Sequence, residues 1–134
     1  MPNNGSDEAG WLRTGVAAAL QAAVRADQAT FMQQLTDLFE RLPVGSARVE
    51  RRGSLFGEKR PVAVSLSVGE LVYTLRSPSR GPLVAERTHV VRGIAIKTAP
   101  LSVEDWLEEV SRALEEQAKL STQARDALNT FING

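Results

Sequence analysis

The chain has 134 residues, of which 43 % are hydrophobic and 24 % charged, and its formal net charge is zero. It contains no cysteine and one histidine, His89, so disulfides, thiolate nucleophiles and cysteine-ligated metal centres are excluded and a histidine-rich metal site is not expected. A chain of this size and apolar content forms one domain around its own core. We therefore expect neither a metal nor a cofactor.

The first 42 residues predict a flexible tail and then a long helix. Residues 1–7 are polar and lack the basic and apolar regions of a signal peptide, so we expect a cytoplasmic protein. Abundant alanine and an excess of arginine over lysine suggest a bacterial chain from a GC-rich genome. Over residues 8–42 there is no proline, and apolar side chains recur at helical spacing until Pro43 and Gly45 end the pattern. Gly10 and Gly15 disfavour the first turns, so a start near residue 15 is the alternative.

The middle of the chain changes to the two-residue period of β-strands. Residues 62–68 and 71–75 alternate apolar and polar side chains, and only Gly69 and Glu70 separate them, which predicts a tight hairpin. Residues 47–56 predict an earlier strand. A long extended run over 83–97 follows, in which Gly93 marks a β-bulge.

A second long helix is predicted from Ser102 to the end of the chain. Ser102 and Asp105 form a capping-box variant, and Leu101 and Trp106 occupy the positions of a hydrophobic staple. This helix would be roughly 45 Å long. The chain is therefore predicted to be an α+β protein, with a long N-terminal helix, an antiparallel sheet of about four strands and a long C-terminal helix. Residues 8–134 make up a single α-β-β-β-β-α domain.

Helices of this length exceed what so small a sheet covers, so their apolar stripes either pack together as a coiled coil or are completed by another chain. This mismatch predicts a non-enzymatic interaction or assembly protein, an adaptor or structural subunit with protein partners, that forms a homo-oligomer. The predicted seam consists of apolar residues from both helices: Leu20, Val24, Phe31, Leu35, Leu38, Leu107, Val110, Leu114, Leu128 and Phe131.

Charge is distributed unevenly along the chain and suggests an alternative function. Residues 41–97 carry eleven basic and four acidic side chains, whereas the segments on either side are net acidic. A basic loop over 51–60 surrounds an apolar pair, so an anion-binding module for nucleic acid or an acidic membrane surface is the alternative. The other interpretation of this loop is a hairpin whose apolar pair tucks under the sheet edge. The loop's candidate contact residues are Arg51, Arg52, Leu55, Phe56, Lys59 and Arg60.

An enzyme is not predicted. His89 lies within a predicted strand and is interpreted as a hydrogen-bonded structural residue, and the paired glutamates of the second helix as its solvated face. The sequence contains no glycine-rich phosphate loop, nucleophile elbow or metal-ligand spacing, so no small-molecule substrate and no catalytic residue is inferred.

Overall fold

The structure is a computed structural model that describes residues 18–19, 27–53, 56–57 and 59–133. In these residues an N-terminal helix precedes a five-stranded sheet, and two helices follow the sheet. The α+β class and the antiparallel sheet are therefore confirmed. The helices are α1 (Gln28–Glu40), α2 (Val103–Leu120) and α3 (Thr122–Asn133). The strands are β1 (Ala47–Arg52), β2 (Arg60–Val68), β3 (Leu71–Arg76), β4 (Val84–Val91) and β5 (Ile94–Leu101).

The sheet is an antiparallel meander in which each strand pairs with the next along the chain. The predicted hairpin of β2 and β3 is confirmed, because Val68 pairs with Leu71 and Gly69 has a φ of +59°. Leu66 pairs with Tyr73 and Val64 with Leu75 in the same ladder, so the apolar side chains of the two strands share one face.

The core lies between that face and the three helices. α1 packs on β1 and β2, α2 packs on β4 and β5, and α3 contacts both α2 and α1. Trp106, Phe31 and Leu114 are fully buried in the resulting cluster. The opposite face of the sheet carries small polar side chains, which bond across strands between Ser65 and Thr74 (3.1 Å) and between Thr88 and Thr98 (3.0 Å).

The predicted continuous helix over 8–42 is wrong at Asp27. This residue is extended, with φ −170° and ψ 163°, and its carboxylate accepts hydrogen bonds from the amide and hydroxyl of Thr30. Those bonds, the amide bond first, lower the pKa of Asp27 and make it the N-cap of α1. Residues 1–17 and 20–26, including the predicted tail, lie outside the described residues.

The predicted C-terminal helix is also divided. Ser121 is extended, its amide bonds the carbonyl of Gln117 to close α2, and its hydroxyl accepts from the amide of Ala124 to open α3. The start of α2 is confirmed, because the hydroxyl of Ser102 accepts from the amide of Asp105 at 3.0 Å.

The strand count is five, because the extended run over 83–97 contains a hairpin turn. Arg92 and Gly93 have φ values of 53° and 81°, and Val91 pairs with Ile94 across them. Positive φ at both central residues is the pattern of a type I′ turn. Gly93 is therefore a turn residue, and the irregularity in the ladder lies between His89 and Val90.

Candidate functional site

The most exposed aromatic side chain of the described residues lies in the loop between β1 and β2. Phe56 retains 95 % of its accessible surface, and the adjacent Gly57 is also exposed. Both strands carry basic residues at the end that adjoins this loop, because β1 ends in two arginines and β2 begins with one. We call its described residues Arg51, Arg52, Phe56, Lys59 and Arg60 the basic tip. Phe56 is therefore not tucked under the sheet edge, whereas Leu55 lies outside the described residues.

The two arginines at the end of β1 have carboxylate partners, one on α1 and one within β1 itself. Arg51 Nη2 lies 2.8 Å from Glu40 Oε1 at the end of α1, and Arg52 Nε lies 3.7 Å from Glu50 Oε2. Lys59 and Arg60 are exposed and have no carboxylate partner within the described part of the chain. Both cations on the β2 side of Phe56 are thus exposed to solvent.

The apolar residues predicted to form the helical seam lie mostly inside the chain's own core. Where the described structure includes them, all are buried except Phe131, which is half-buried at the end of α3. Leu20 and Val24 lie outside the described residues. The buried members are Phe31, Leu35, Leu38, Leu107, Val110, Leu114 and Leu128.

A second surface feature is an open groove of about 440 Å³ beside α2. Its apolar floor is made by Val68, Tyr73 and Ala113, and Arg112 lines one side. The remaining lining residues are acidic: Asp105, Glu108, Glu109 and Glu116. We call this feature the α2 groove.

One wall of the α2 groove is held by hydrogen bonds between helix and sheet. Glu109 Oε1 accepts from Tyr73 Oη at 2.9 Å and from Arg87 Nη1 at 2.7 Å. Burial, and then the bond to Glu109, raise the pKa of Tyr73, while the same carboxylate raises the pKa of Arg87. The cluster fixes α2 on β3 and β4, whereas the other acidic side chains of the groove are exposed.

The amino-acid sequence does not predict this cluster. Tyr73 and Arg87 are cross-strand partners, but that register depends on the loop over 77–83, whose length fixes no turn type. Glu109 resembles any solvated glutamate of an amphipathic helix. The sequence indicates contact between Glu109 and the sheet only through its position next to Val110, at the edge of the apolar stripe of the helix.

His89 lies on β4 next to the turn that joins β2 and β3. Its Nε2 lies 3.2 Å from Glu70 Oε1, and both side chains are exposed. Among the described residues no group of three or more acidic or histidine side chains converges on a point where a metal ion would sit. The His89–Glu70 pair is a surface contact between β4 and the turn that joins β2 and β3.

No described helix is both long enough and apolar enough to cross a bilayer. Comparison with protein-family models, with curated proteins and with solved structures found no match to this chain.

Proposed function

We propose that this chain is a non-enzymatic protein-binding and assembly protein, and that it contacts its partner through the basic tip. The observation that carries the proposal is the 95 % exposure of Phe56 at the end of a hairpin lined with cations. Aromatic and arginine side chains are the residue types that most often dominate the energy of protein interfaces. Burying the Phe56 side chain in a partner would contribute about 1.5–3 kcal/mol.

The proposal places the contact on the tip because the apolar stripes of the described helices α1, α2 and α3 are buried in the chain's own core. Phe31, Leu35 and Leu114 are each 0 % exposed, so they reach another chain only if the core opens. Phe56 needs no such rearrangement.

Photo-crosslinking in cells that express the chain tests this proposal. Phe56 is replaced by a photoreactive phenylalanine analogue, and Val44, a second fully exposed apolar residue, is replaced in a control. We expect a discrete protein adduct from position 56 and none from position 44. The adduct should disappear when Lys59→Glu and Arg60→Glu are added. No adduct at position 56, or the same adduct from both positions, would overturn the proposal.

The second candidate is the anion-binding module, which the exposure of Lys59 and Arg60 favours. Polybasic membrane sites usually gather four to eight cations, and each contributes about 1 kcal/mol. Arg51 and Arg52 already have carboxylate partners, so the tip offers fewer. Single-stranded nucleic acid usually binds to several exposed aromatic side chains, on which successive bases stack. Among the described residues, Phe56 is exposed for such stacking, but Tyr73, the aromatic residue of the basic sheet, is buried.

Vesicle and oligonucleotide binding at low and moderate salt separates this candidate from the first. An anion-binding module should bind anionic but not neutral vesicles, or a single-stranded oligonucleotide, and lose affinity steeply with salt. Equal binding by the wild type and the Lys59→Glu, Arg60→Glu variant would exclude the tip as the anion site.

A further inference from the structure

We infer that the basic tip of one copy docks in the α2 groove of a second copy, so that the chain assembles head to tail. This inference rests on the proposed function and names the partner surface. The tip presents an exposed aromatic side chain among cations, and the groove presents an apolar floor among carboxylates. A volume of about 440 Å³ lies within the range of roughly 300–1,000 Å³ typical of pockets that bind small ligands, so it accommodates a phenyl ring.

The tip cannot reach the groove of its own chain. Arg60 begins β2 at the tip, and Val68 ends β2 at the floor of the groove. At about 3.3 Å per residue these two positions lie roughly 26 Å apart along an extended strand. The complementary surfaces are therefore at opposite ends of the sheet, and only a second copy brings them together.

The groove is fixed in shape before it binds. The bonds from Tyr73 and Arg87 to Glu109 hold its wall on the sheet. On its open side, Glu108 pairs with Arg112 and Glu116 pairs with Lys119. Exposed pairs within one helix contribute little free energy, so these carboxylates exchange partners with the cations of an incoming tip at small cost.

Such a contact uses two different patches, so a pair of copies retains one free tip and one free groove. A heterologous contact of this kind extends into an open chain or closes into a ring. The assembly is therefore expected to grow beyond a dimer as protein concentration rises and to dissociate as salt screens the charged rim.

Sedimentation velocity of the purified chain over a concentration series, at low and moderate salt, tests the inference. The wild type should form species larger than a dimer at low salt. Phe56→Ser should weaken association about tenfold to hundredfold, as expected for the loss of one buried aromatic anchor. Circular dichroism checks that each variant is folded.

Charge exchange between two variants gives the sharper test. The tip variant carries Lys59→Glu and Arg60→Glu, and the groove variant carries Glu108→Lys and Glu116→Lys. Neither should assemble alone, and an equimolar mixture should, because the acidic tip now matches the basic groove. A control with Arg80→Glu and Glu104→Lys, both exposed and outside the two surfaces, should behave like the wild type.

A folded wild type that stays monomeric at every concentration would overturn the inference, and so would a mixture that fails to assemble. In either case the proposed function survives if photo-crosslinking at position 56 captures a different protein. If position 56 yields no adduct at all, the proposed function fails as well.

Discussion

Tyr73 reports on how α2 is held on the sheet, because it is the only tyrosine in the chain. Burial and the hydrogen bond to Glu109 raise the pKa of its phenol above the ordinary value of 10.0. Absorbance at 295 nm during an alkaline titration should therefore show ionisation above pH 10. In Glu109→Gln the midpoint should move down, because the charge that opposes ionisation is removed.

The matched control for this titration is Glu108→Gln. Glu108 lies next to Glu109 on α2 but pairs with Arg112 instead of Tyr73, so the midpoint should stay at its wild-type position. The raised pKa of Tyr73 also has a consequence for stability. The neutral phenol stabilises the fold fully below pH 10, and this contribution is lost as the pH rises through the folded pKa. Identical midpoints in the wild type and Glu109→Gln would contradict the bond.

At the scale of elements, the backbone at Arg92 is strained in the turn between β4 and β5. Arg92 has a φ of 53° in a type I′ turn, a backbone conformation that asparagine and glycine adopt more readily than arginine. Arg92→Asn should raise the free energy of unfolding by roughly 1 kcal/mol. Urea unfolding measures this as a higher midpoint with an unchanged slope. Arg80→Asn removes the same charge from an exposed loop position and should leave the midpoint where it is.

The elements that the sequence predicts correctly are those whose local signals agree with their tertiary environment. The hairpin of β2 and β3 combines alternating apolar and polar side chains with glycine at the turn. The start of α2 combines the Ser102 cap with acidic side chains in the first helical turn. The errors occur where one signal continues across a break. Helical spacing continues through Asp27 and Ser121, although both side chains cap the following helix.

The candidate site was predictable only in part. The basic residues and glycines of the loop over 51–60 indicate an exposed hairpin. The sequence left open whether its apolar pair is exposed or lies under the sheet edge, and the side chain of Phe56 is exposed. The α2 groove was not predictable, because it forms where β2, β3 and α2 meet. Residues as distant in sequence as Val68 and Glu116 share it only once the whole sheet has formed.

At the scale of the whole molecule, the division of the predicted C-terminal helix into α2 and α3 determines where its apolar side chains are buried. An unbroken C-terminal helix of roughly 45 Å would extend past a sheet of five strands, which is about 19 Å wide. Ser121 divides it into segments of about 27 and 18 Å, and α3 then packs beside α1 and α2. Within the described residues, the apolar stripes of α1, α2 and α3 are therefore covered by the chain itself, and the basic tip remains exposed.

Amide hydrogen exchange, measured by mass spectrometry on dilute and concentrated samples, tests most directly whether the chain itself buries the apolar side chains of its helices. Phe31, Leu35 and Leu38 of α1 are buried by the chain itself, so the amides of residues 31–39 should exchange slowly and at the same rate in both samples. Added protection in the concentrated sample should include residues 51–60. Rapid exchange of α1 in the dilute sample that slows with concentration would contradict the account, since it would mean that another chain covers the helical stripe.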